Sequence, residues 1–161
     1  MKKEIVTEEN LFFVLDILDR MGMRYWLDGG WGVDVLTGKQ NREHRDIDID
    51  FDMNFNEALI KKLTDLGYKV VVDWMPCRLE LWHPELGYID IHPLMINSDG
   101  SAKQTDLEGG FYHFEAEWFT VIKYKEREIP CISATAQKLF HSGYELREVD
   151  LIDMINLNNI I

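Results

Sequence analysis

Asp46, Asp48 and Asp50 stand two residues apart in "HRDIDIDF", with Ile47, Ile49 and Phe51 filling the alternate positions. On a strand, successive side chains point to opposite faces, so the carboxylates share one face and the apolar side chains the other. Carboxylates spaced about 7 Å apart along the backbone, from a rise of about 3.3 Å per residue, can converge on one divalent cation or a pair. Such a cation removes the repulsion that otherwise opposes ionising all three. In "YIDIHPL", Asp90 and His92 alternate with Ile89 and Ile91 in the same manner. A strand paired with the first would bring a third carboxylate and an imidazole to the same face. Two aspartates from one strand and one from its neighbour form the ligand set expected of two-metal phosphoryl transfer.

A third feature strengthens this combination. Gly29 and Gly30 would let backbone N–H groups approach a phosphate, with the helix that starts near Trp31 aiming its N-terminal dipole at the anion. Two rivals compete for the aspartate run alone. A solvated edge strand uses charges to discourage aggregation. A calcium loop fits Asp46, Asp48, Asp50 and Glu57 at positions 1, 3, 5 and 12, but it puts Phe51 where the sharp turn calls for Gly.

The rest of the chain must position these groups. "LFFVLDILDRMG" has helical spacing and predicts an amphipathic helix over residues 8 to 21, with Thr7 as N-cap and Gly22 as the stop. Tyr25 to Leu27 predicts a strand, followed by the Gly29-Gly30 turn and a short helix that ends at Gly38. "NFNEALIKKLTDLG" predicts a second helix, capped by Asn54 or Asn56 and closed by Gly67. "YKVVVDW", "RLELWH" and "YIDIHPLMI" predict a mainly antiparallel sheet. Residues 97 to 110 are small and polar and read as an exposed loop, with a hairpin after them. From Ser133 the pattern predicts two helices, the first capped by Ser133 and broken near Gly143. The expectation is a single α+β domain over residues 1 to 161, with residues 132 to 161 as a helical C-terminal segment.

Composition narrows the partners. Of 161 residues, 29 are acidic and 17 basic, and the net charge of -12 repels phosphate backbones and anionic lipid heads. Neither nucleic acid nor membrane is expected as a partner. The two cysteines, Cys77 and Cys131, form no CxxC pair and do not suggest a disulfide scaffold, and the N-terminus lacks an apolar leader, so a cytoplasmic location is expected.

The run "LDGGWGVDVLTGKQNREHRDIDIDF" resembles the nucleotidyltransferase superfamily signature, in which a Gly-Gly or Gly-Ser turn precedes an Asp-x-Asp strand. Together with "WMPCRLEL", "GYIDIHP", "IPCIS" and "LFHSGY", it is similar to the small lincosamide nucleotidyltransferases over nearly the whole chain. The resemblance implies a small mixed sheet flanked by helices and transfer of a nucleoside monophosphate, usually AMP from ATP, to a hydroxyl of lincomycin or clindamycin, with release of pyrophosphate. It implies two Mg²⁺ ions held by Asp46, Asp48 and Asp90, with Asp90 or His92 as the base and Gly29 and Gly30 at the triphosphate. Asp50 is then an extra carboxylate, or belongs to a shifted register that uses Asp48 and Asp50. Arg42 of the family's Arg-x-His and His44 become candidates for phosphate contact; ion pairing and a loop hydrogen bond are their structural alternatives. Arg45 is a further candidate for phosphate contact, Arg78 and Glu80 for the active face of the sheet, and Trp31 and Trp74 for the border of a pocket. An aminoglycoside acceptor and a non-catalytic antitoxin of the same fold are the alternatives, and the sequence leaves open whether two chains share a site as a homodimer.

Overall fold

Thr7 caps the first helix reciprocally with Asn10: each side chain accepts from the other residue's backbone N–H at 3.1 Å. This helix, α1 (Glu8–Arg20), buries Leu11, Val14, Leu15, Ile17 and Leu18. It packs in one apolar core with Leu59 and Leu63 of α3 (Asn56–Asp65), against Ile47, Ile49, Ile89 and Ile91 of the sheet. The face of the sheet opposite those isoleucines is thereby left for polar groups.

The computed structural model describes residues 2–141 and 147–160. Its sheet comprises β1 (Tyr25–Asp28), β2 (Asp46–Asp52), β3 (Lys69–Trp74), β4 (Arg78–His83), β5 (Gly87–Ile96), β6 (Ala102–Thr105), β7 (Phe111–Phe114), β8 (Phe119–Tyr124) and β9 (Arg127–Ile132). The main path runs β3-β4-β5-β2-β1-β9-β8, and β6 and β7 extend from β5. Pairing is parallel between β2 and β5 and between β1 and β9, and antiparallel elsewhere. Helices α2 (Gly29–Thr37), α4 (Ala134–His141) and α5 (Glu148–Asn158) complete an α+β architecture with a mixed sheet. Ser133 Oγ accepts from the Ala136 N–H at 3.2 Å, as a cap for α4. The expected break near Gly143 lies outside the described residues.

Three expectations need correction. Residues 97 to 110 are not wholly loop, because β6 pairs with β5 and β7 although only Ala102 points into the core. Helix α2 begins at Gly29 itself, with Asp28 as N-cap, so the double glycine forms the helix's first turn. Neither Asn54 nor Asn56 caps α3: Asp52 accepts from the Asn54 N–H at 3.0 Å, and a short 3₁₀ turn leads into the helix.

Candidate active site

Antiparallel pairing places Asp28 of β1 opposite Asp48 of β2, parallel pairing places Asp48 beside Asp90 of β5, and antiparallel pairing places Asp90 opposite Glu80 of β4. Four acids therefore form one row across four adjacent strands. Asp46 precedes the row on β2, and Asp50 is beside His92 in the following register. The period-two pattern makes this possible, since Ile47, Ile49, Ile89 and Ile91 are fully buried on the opposite face.

The row is crowded with charge. Burial pushes the Asp48 carboxyl well above the usual carboxylate range, and Asp46, Asp90 and Asp50 push it further, against the opposing effect of His92. Asp46 is raised by burial and then by Asp90, with Arg45 working against them. Burial and then Asp50 raise Asp28 well above its ordinary value. Burial disfavours a charged His92, but Asp50 and Asp90 outweigh it and hold the ring well above the usual histidine range. Arg78 Nη1 donates to Asp90 Oδ2 at 2.7 Å, and Arg45 lies 3.6 Å from Glu80 and 3.9 Å from Asp46, so two guanidinium groups offset part of the negative charge.

Asp90 Oδ1 is buried without a hydrogen-bond partner. Asp48, Asp90 and His92 each offer a ligand atom, and these atoms lie within 4.8 Å of one another. Mutually repelling carboxylates with an orphaned oxygen fit a hard divalent cation, for which oxygen donors are the preferred ligands.

Beside the row, α2 presents its N-terminus. Gly29 has φ +63°, and its N–H donates to Asp28 Oδ1 at 2.8 Å. A Cβ on Gly29 would run into the Asp48 carboxylate, and one on Gly30 would meet the Arg42 guanidinium and, at 2.7 Å, His44 Nδ1. Close approach demands glycine at both positions. Arg42 lines the cleft, but its Nε and Nη2 both donate to Asp153 of α5 at 3.0 Å. His44 is placed beneath the turn, buried, 2.6 Å from Asp34 Oδ2 and packed on Trp31. Trp31 is in the core, whereas Trp74 is half exposed with Arg78 stacked 4.4 Å over its ring.

The four acids of the row, Asp46, Asp50 and both glycines line one cleft of about 990 Å³, together with Gln104, Tyr112 and Phe114 of the β6–β7 hairpin and residues of α4 and α5. Pockets for a single small ligand run from about 300 to 1,000 Å³, so the space suits a large ligand or two smaller ones side by side. Sequence reasoning missed Asp28, Asp153 and the hairpin. A strand-ending acid directly before Gly29-Gly30 was a readable N-cap signal for Asp28; Asp153 and the hairpin carried no such local signal.

The model of the aminoglycoside-2''-adenylyltransferase family matches residues 10–157. The chain belongs to this nucleotidyltransferase family. It is 59% identical over 160 residues to a lincosamide resistance protein of Staphylococcus haemolyticus, covering 99% of both chains. Among solved structures it matches the lincosamide antibiotic adenylyltransferase LnuA, determined with lincomycin bound, at 58% identity and a TM-score of 0.92, over 98% of this chain and 99% of that one. The complex of ANT(2'')-Ia with adenylyl-2''-tobramycin matches at 19% identity and a TM-score of 0.68, over 96% of this chain and 88% of that one, a likeness of fold.

Proposed function

We propose that the chain is a cytoplasmic lincosamide adenylyltransferase, which moves AMP from ATP to a hydroxyl of lincomycin or clindamycin and releases pyrophosphate. The observation that carries this reading is the register row of Asp28, Asp48, Asp90 and Glu80, with Asp46 beside it, at the N-terminus of α2. Near-complete coverage at 58% identity by a lincomycin-bound adenylyltransferase supports the choice of acceptor.

In the reaction, the drug hydroxyl oxygen forms a bond to the α-phosphorus while the bond from that phosphorus to the pyrophosphate oxygen breaks. Asp46, Asp48 and Asp90 would hold two Mg²⁺ ions, which when bound neutralise charge on the attacking and leaving oxygens and on the phosphates. The hydroxyl proton would pass to a base within hydrogen-bond reach, Asp90; His92, the alternative, is held protonated by Asp50 and Asp90 and would first have to give up a proton. The α2 N-terminus, with Gly29 and Gly30, favours the negative triphosphate by its dipole. Arg42, braced by Asp153, and His44, braced by Asp34, hold the segment that leads into β2. The drug would then rest against the Tyr112 and Gln104 wall of the cleft.

The family's aminoglycoside name favours one second reading, with the same chemistry on an aminoglycoside hydroxyl. Incubation with ATP and Mg²⁺ against parallel lincomycin, clindamycin and tobramycin arms separates the two by mass spectrometry. A lincosamide heavier by one AMP is expected. Adenylylated tobramycin with unchanged lincosamide would replace the first reading by the second, and no product in any arm would favour a non-catalytic antitoxin-like role.

A further inference from the structure

Asp50 is the carboxylate that the reaction above leaves unused. It is 1% exposed, deeper than either Asp46 or Asp90, and its Oδ1 lies 3.0 Å from His92 Nδ1. The opposite ring nitrogen, His92 Nε2, lies 3.6 Å from Asp90 Oδ1. Asp90 is held at its other oxygen by Arg78, at 2.7 Å. Asp50, His92 and Asp90 thus form a chain of contacts along the acid row, made by the parallel register that sets Asp50 beside His92 and Asp48 beside Asp90.

Resting on the adenylyltransferase reading, we infer that Asp50 is a positioning residue: it fixes the His92 ring through Nδ1 so that Nε2 faces Asp90, and it does not coordinate the cations. An imidazole that donates Nδ1–H to a buried carboxylate has one ring orientation and a committed Nε2, the arrangement that prepares a histidine to meet a partner. Rotation of the ring would leave Asp90 Oδ1 facing nothing, since that oxygen has no other partner. The rival role for Asp50 is coordination through its own orphaned Oδ2. Against it, Asp50 is the most deeply buried acid of β2 and β5, at 1% exposure, and one of its two oxygens is already engaged by His92 Nδ1.

The two roles separate on cation affinity. Mn²⁺ binding to the nucleotide-free protein, read by calorimetry, should match the wild type in Asp50→Ala and Asp50→Asn and be lost in Asp48→Asn. With ATP and lincomycin, Asp50→Ala should lower kcat by about 10- to 100-fold, the usual range for residues that orient a ligand or base, with KM for both substrates little changed. In a His92→Ala background the same substitution should cost nothing further, because the partner through which it acts is gone. In the wild type, ¹⁵N spectra should show His92 Nδ1 protonated, a measurement that needs no variant to fold. Loss of Mn²⁺ binding in both Asp50 variants would make Asp50 a ligand and shift the metal pair to Asp48 and Asp50. Additive losses with His92→Ala, or an unprotonated Nδ1, would also overturn the inference. If the wild type modifies no lincosamide, the adenylyltransferase reading fails, while the Mn²⁺ and ¹⁵N measurements still decide the role of Asp50.

Discussion

At the scale of single residues, Gly29 shows how one position serves two demands. Its φ of +63° is a conformation that an L side chain adopts only at a cost, and the space where a Cβ would go is taken by the Asp48 carboxylate. Gly29→Ala should therefore destabilise the fold by about 1 to 2 kcal/mol from the left-handed backbone alone. The larger effect should be on activity, because the short Asp48 side chain has to swing away from its place between Asp28 and Asp90. Paired urea melts and initial rates test this: a fall in kcat no greater than the stability loss explains would mean that Asp48 tolerates the shift. The double glycine and the alternating aspartates were legible in the sequence, because period-two alternation fixes which residues share a face. The neighbour on each side was not legible, since nothing in "HRDIDIDF" says that β5 pairs with it in parallel or that Asp28 is placed opposite Asp48. Arg42 was read as a phosphate contact or a partner for a nearby carboxylate, and its fork instead grips Asp153, 111 residues away.

At the scale of elements, α5 explains why that partner stayed hidden. A surface helix ordinarily turns its apolar stripe inward. Here α5 buries Asp150, Asp153 and Leu157 while Leu151 and Ile155 are exposed, so an amphipathic reading would rotate it the wrong way. Its inward acids are matched by Arg42 on Asp153 and Arg147 on Asp150, which is why a polar face can be buried at all. Helix α1, whose inward face is wholly apolar, was legible almost to the residue, and strand β6 was not, because a polar strand with one buried alanine has no hydrophobic pattern. Asp153→Ala should destabilise the protein by about 2 to 3 kcal/mol, less than the about 3 to 5 kcal/mol of a fully buried broken pair because Arg42 can still reach water in the cleft. Hydrogen exchange should show the loss concentrated in α5 and in the segment around Arg42. Uniform loss across α1 and α3 would mean that the pair supports the global fold instead of docking this helix.

At the scale of the whole molecule, the crowded acid row acts against the fold's own stability once it ionises. Asp28, Asp46 and Asp48 are raised above the ordinary carboxylate range, so the folded chain holds those protons more tightly than the unfolded chain does. Their contribution is most favourable at and below the unfolded carboxylate pKa of about 4 and is lost as pH rises through the higher folded values. Asp34 and Asp150 have the opposite sign. Burial pushes each up, but hydrogen bonds from His44 and Asn41 to Asp34, and from Arg147 to Asp150, hold both below the usual range. Their stabilisation is present above the unfolded pKa and fades as pH falls through the folded one. Acid should thus weaken the helix-docking network while neutral pH loads the acid row with repulsion. On the proposed reading, a divalent cation would bind the ionised row in competition with its protons, so it should recover the stability lost on ionisation. The rise in Tm on replacing EDTA with Mg²⁺ should be larger at about pH 8 than at about pH 5, and it should shrink in Asp48→Asn, where one ligand charge is gone. An equal rise at both pH values in wild type and variant would place Mg²⁺ elsewhere on this acidic surface, because only a site whose protons compete with the metal makes the two effects depend on one another.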